Sequence, residues 1–243
     1  MRKVRSAGIT KAFSDQDEHS LAPRFLLFLL ALLLPALIHA QATALRCGTG
    51  NVLVLATDRR DAQHACQGAA DAISFLDGKG LDTSDEIRIR IVERLPSGVE
   101  HDALGCYVHP ERRVYVLTLR EFQLRGEFFG VPASPVLYRS LISHEVAHAI
   151  ASCNFAIPRP TLAAQEYIAF VTMYATMPQA VRDQMLEAFA EDGFDTEHQI
   201  SGTMYLIAPQ WFGAQSYRHY LKLGNGMLFL RKILAGDALR GDD

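Results

Sequence analysis

The chain has 243 residues, with 24 Lys+Arg against 27 Asp+Glu and a formal net charge of −3. A hydrophobic content of 49% excludes a disordered polar chain, and the missing basic excess argues against a nucleic-acid binder. There is chain for one domain or at most two, so function has to be read from local constellations.

Phe25 to Ile38 reads FLLFLLALLLPALI, an uncharged run preceded by Arg24, with Arg2, Lys3, Arg5 and Lys11 further upstream. Ala40-Gln41-Ala42 follows as a small-residue cleavage site, so residues 1–42 read as a secretory signal peptide. The run falls short of the ~20 residues of a comfortable span, and if retained it would act as an N-terminal anchor. Either way residues 43–243 are expected outside the cytosol, periplasmic or secreted, with no stable membrane span after cleavage. Cleavage removes five basic and three acidic residues and leaves a net charge of −5, with no basic stripe for nucleic acid or anionic lipid.

All four cysteines, Cys47, Cys66, Cys106 and Cys153, lie in the exported part. An even count in an oxidising compartment suggests two disulfides, against the alternative of buried free thiols. Of the three connectivities, the one joining neighbouring elements is Cys47–Cys66 with Cys106–Cys153. No CxxC pair exists, which argues against a four-cysteine zinc site.

Along the exported chain, Asn51–Ala56 reads as a short apolar strand. Thr57-Asp58 can cap a helix whose Ala62, Ala65, Cys66, Ala69, Ile73 and Leu76 recur at helical spacing until Asp77-Gly78-Lys79-Gly80 stops it. Glu86–Arg94 alternates, with Ile87, Ile89 and Ile91 against Arg88 and Arg90, as a half-buried strand does. Gly105–Val108 and Arg113–Leu119 flank His109-Pro110-Glu111-Arg112 and predict a hairpin. Arg120–Pro135, punctuated by Gly126, Gly130, Pro132 and Pro135, is expected to be loop. Helices follow near 135–152, 161–176, 179–190, 197–207, 210–222 and 226–235. The order predicts one α+β domain over 43–243, β-rich to 134 and helical from 135.

His144-Glu145-Val146-Ala147-His148 is an H-E-x-x-H motif inside the helix that Ser134-Pro135 opens. At 3.6 residues per turn the two histidines sit about 40° apart on one face, where both can bind one zinc ion. Glu145 is offset toward the open coordination position, where it can accept a proton from water. Glu166 lies 18 residues beyond His148, after a proline-forced reversal at Pro158 and Pro160. An antiparallel second helix brings its carboxylate level with the histidines as third ligand. Without a metal, the same residues are two packed histidines and a surface glutamate.

At these residues the chain resembles the zincin metallopeptidases, and among them the gluzincins typified by thermolysin-like enzymes. The resemblance implies His144, His148 and Glu166 as zinc ligands and Glu145 as general base. It implies a zincin-like fold, with a small mixed or antiparallel sheet and hairpin ahead of the motif helix and a helical C-terminal half. It also implies an edge strand just before that helix for extended peptide, a place that Arg113–Leu119 occupies. Gluzincins take an oxyanion donor from a downstream Tyr or His, and the candidates are His198, Tyr205, Tyr217 and His219. The pattern departs in two places: Gln165 stands where the thermolysin-like signature has Asn, and Phe170 where it has an Asp that orients a ligand histidine. The metzincin pattern is absent, with Ala151 and Asn154 at its Gly and His positions.

The expected function is an exported zinc-dependent hydrolase cleaving peptide or protein substrates. A non-catalytic envelope module that binds peptide on the hairpin edge, or an unrelated disulfide-stapled fold, is the alternative.

Overall fold

The computed structural model describes residues 42–100 and 102–240. The chain divides into two units, 1–40 and 41–243, and the fold below is that of the second. The leader expectation lies outside the described residues.

β1 (Thr43–Arg46) and β2 (Val52–Ala56) pair antiparallel, and Asp58 then caps α1 (Arg59–Asp77) by accepting from Arg60 N–H. β3 (Ile87–Val92) buries its isoleucines and exposes Arg88 and Arg90, as its alternation predicts. β4 (Gly105–Val108) and β5 (Arg113–Leu117) form the antiparallel hairpin. β3 pairs parallel with both β2 and β5, giving a mixed five-stranded sheet in the order β1-β2-β3-β5-β4. That order corrects the expectation for Arg113–Leu119. Its pairing with β3 places it inside the sheet, and the strand left at the edge is β4.

The 120–135 stretch is also more ordered than expected. Thr118 caps a short helix, α2 (Leu119–Leu124), and a two-stranded ribbon follows, β6 (Glu127–Phe128) with β7 (Val131–Pro132). The glycines end these elements instead of dissolving them, because Phe122, Phe128 and Val131 anchor the segment in the core. α3 (Pro135–Asn154) packs against α1 and the inner sheet face. α4 (Leu162–Thr176) packs back on α3, and α5 (Gln179–Glu187), α6 (Gly202–Ile207), α7 (Pro209–Lys222) and α8 (Gly226–Ala235) complete the helical half. The helix expected over 197–207 is split, with a single 3₁₀ turn at Glu197–Gln199 and a new start at the Ser201 cap. The result is an α+β fold, and no described helix is long and apolar enough to cross a membrane.

Cys47 and Cys66 form a disulfide with Cα atoms 5.4 Å apart, tying the sheet to α1. Cys106 and Cys153 are free, which corrects the second expected pair. Alternation along β4 explains it. Gly105 abuts Glu145 and the Tyr107 hydroxyl accepts from Ser152 Oγ, so these two positions face α3 and Cys106 faces the other side. Cys153 lies at the exposed end of α3, beside the Arg112 guanidinium.

Candidate metal centre

Ser134 accepts from Leu137 N–H and Pro135 fills the first turn, so α3 starts where the sequence places it. The helix is buried on almost every side from Leu137 to Ala151, and His144 and Glu145 are interior residues. His144 and His148 point the same way, with Nε2 atoms 3.2 Å apart. Asn154 closes the helix by donating to the carbonyls of Ile150 and Asp82. The chain reverses, Thr161 caps α4 by accepting from Ala164 N–H, and Glu166 arrives opposite the histidines. Its Oε2 lies 3.5 Å from His144 Nε2 and its Oε1 3.5 Å from His148 Nε2.

This triad could hold a metal ion, since one donor atom from each residue falls within 4.8 Å of the others. The two 3.5 Å contacts use the two different carboxylate oxygens, so Glu166 spans both histidines. Glu166 Oε2 is buried without a hydrogen-bond partner, an acceptor that a cation would satisfy.

The electrostatics suit cation binding. Burial pushes His148 down to about 4, against the pull of the Glu166 carboxylate, so its ring is neutral and its lone pair available at neutral pH. Burial would raise Glu166, but His148 and His144, with the nearby Tyr205 phenol, hold it below its ordinary value. Glu145 is pushed up to about 7 by burial, with His144 opposing and Glu166 adding to the rise. His144 is lowered by burial but raised more by Glu166, and its net direction is upward.

Phe170 stands edge-on to His144, ring centroids 4.6 Å apart at 66°, and His144 Nδ1 is buried without a partner. The place of an orienting carboxylate is thus taken by an aromatic ring. Of the four donor candidates, only Tyr205 reaches this space. It lines the cleft beside His144 and Glu145, and burial together with Glu166 and Glu145 pushes its pKa upward, so it stays protonated. His198 lines separate surface pockets, Tyr217 stacks on Tyr174 at 5.5 Å, and His219 Nδ1 hydrogen-bonds the Tyr167 hydroxyl at 2.8 Å.

A cleft of about 440 Å³ opens onto this group, with Gly105, Glu145, Phe129, Phe170 and Tyr205 among its walls. Sequence reasoning missed Gly105 and Phe129. A glycine inside a strand pattern signals close approach of another group, and that signal was present at Gly105. Leu117 N–H donates to Leu104 C=O, which turns residues 104 and 106 toward β5. Gly105 and Tyr107 therefore direct their own N–H and C=O groups to the open edge of the sheet, beside Glu145.

Residues 52–242 match the profile of a family described as "Family of unknown function (DUF6639)". No curated protein matches the chain, and no solved structure does.

Proposed function

We propose that this chain, which belongs to the DUF6639 family of unknown function, is an exported zinc-dependent hydrolase, a gluzincin-type metallopeptidase. The observation that carries the reading is the convergence of His144, His148 and Glu166 at metal-donor spacing, with Glu145 and an open strand edge beside them. When bound, zinc supplies Lewis acidity and brings the pKa of a coordinated water toward 7. Glu145, poised near neutrality by its burial, takes the proton from the attacking water and returns it to the leaving nitrogen. Tyr205 supplies a hydroxyl donor to the developing oxyanion. Gly105 and Tyr107 offer backbone groups on which an extended peptide can pair as an added strand. The Cys47–Cys66 bond is compatible with an exported, oxidising location.

The unpartnered Nδ1 of His144 favours a second reading, a metal-holding module that binds peptide on the same edge without turnover. Elemental analysis of the purified, oxidised protein tests both. About one zinc per chain is expected, lost in His148→Ala and kept in Glu145→Gln. Peptide cleavage abolished by Glu145→Gln supports the hydrolase. Metal content without cleavage leaves the binding module, and folded protein that takes up no zinc removes both.

A further inference from the structure

The β6–β7 ribbon pairs Glu127 with Pro132 and Phe128 with Val131, leaving Phe129-Gly130 as a two-residue loop. Both loop residues have positive φ, 53° and 73°. That is the pattern of a type I′ hairpin turn, whose favoured sequence is Asn-Gly. A phenylalanine is held instead in the left-handed region, where its Cβ crowds the following carbonyl. Among the described residues only Arg112 and Leu239 share that condition without being glycine. Local turn chemistry does not explain a ring at this position.

Phe129 packs only partly against the core, and its neighbour already anchors the ribbon. Phe128 already ties the ribbon to the core, 8% exposed and edge-on to Phe122 at 5.7 Å. The Phe129 ring stacks on Phe128 at 4.3 Å, remains half-buried and forms part of the cleft wall. It leans toward Phe170 at 5.9 Å, and Phe170 meets His144 at 4.6 Å, so an aromatic wall runs from the ribbon tip to the donor triad. Leu141 and Met173 add further apolar surface to the same cleft.

We propose that Phe129 is a specificity-determining residue, selecting polypeptide substrates that carry a large apolar side chain next to the scissile bond. The inference rests on the hydrolase reading and adds the substrate class. A side chain lying along this wall leaves water for an apolar surface that the backbone contacts at Gly105 and Tyr107 cannot supply.

The test uses zinc-loaded protein and a set of peptides with one backbone, varied through Phe, Leu, Ala, Asp and Lys on either side of the cleaved bond. Phe and Leu peptides are expected to exceed Ala in kcat/KM by about tenfold or more, and in Phe129→Asn the advantage should shrink to about threefold, the loss falling on KM. Because Asn suits the turn, the Tm of Phe129→Asn should equal or exceed that of the wild type. Calorimetric binding of the same peptides to zinc-loaded Glu145→Gln should give the same ranking without turnover. Selectivity retained in Phe129→Asn overturns the proposal, as does a Tm fall of several degrees, which would make the ring a packing element. Cleavage without side-chain preference removes this inference and leaves the hydrolase standing. Neither cleavage nor binding of any peptide removes both.

Discussion

Gly105 on the sheet edge and Glu145 on α3 share a space that leaves no room for a side chain between them. A Cβ at position 105 would lie 2.7 Å from Glu145 Cγ and 2.9 Å from its Oε1. Gly105→Ala should therefore push the carboxylate aside while the donor triad stays intact. A displacement of about 1 Å corresponds to a loss of about 10² in kcat, with zinc content unchanged. Turnover at the wild-type rate in this variant would show that the edge strand does not position the base.

Tyr205 is the phenol that shares the cleft with Glu145 and feels the Glu166 carboxylate. Tyr205→Phe keeps the ring and its packing near Phe170 and Phe212 and removes only the donor. If that hydroxyl stabilises the oxyanion, kcat should drop by about 10²–10³ with little change in KM. A change confined to KM, read from steady-state kinetics, would make Tyr205 a substrate-binding group instead.

The two free thiols should differ in reactivity. Burial, reinforced by Glu145 and Glu111, pushes the Cys106 thiol up to about 11, so it is protonated at pH 8 and a poor nucleophile. Cys153 is exposed. Alkylation of the native protein at pH 8 should label Cys153 alone, with Cys106 appearing only after denaturation, as peptide mass mapping would show. Reducing Cys47–Cys66, which are 19 positions apart, should cost about 3 kcal/mol of stability.

His219 gives a pH dependence of known sign. Burial, and then Lys222, hold it below its ordinary value of 6.5, so the unfolded chain takes up its proton first. The stability it contributes is complete above pH 6.5 and is lost as pH falls from there through the lower folded value. Protonation would also leave Nδ1 able only to donate in its 2.8 Å hydrogen bond with the Tyr167 hydroxyl. His219→Gln should flatten this part of the stability–pH curve, measured by denaturant titration in buffers from neutral to acid. An unchanged slope would assign the dependence to other groups.

Much of the donor triad was legible because it depends on two local periodicities and one reversal. The caps at Ser134 and Thr161 and the prolines between the helices set the level of Glu166. The strand alternation at Ile87–Val92 was equally plain. What was not legible depends on long-range pairing. Nothing within Arg113–Leu117 announces that β3 will pair beside it and leave β4 at the edge. The ranking of Tyr205 over His198, Tyr217 and His219 likewise depends on where the helical half docks. The 120–135 stretch misled because its glycines and prolines are the punctuation of elements too short to show a period.

The triad is drawn from two consecutive helices, whereas Gly105, Phe129 and Tyr205 come from an edge strand, a ribbon and a helix far along the chain. Contacts of short sequence separation form early and cheaply, and distant ones wait for the chain to close around them. A helical hairpin from residue 135 to 176 can thus present two imidazoles and a carboxylate before the sheet is complete. Metal uptake would then report that this hairpin has formed, while turnover would report that the remaining architecture has closed over it. An early ion in the hairpin would hold its two helices together until the rest of the fold arrives.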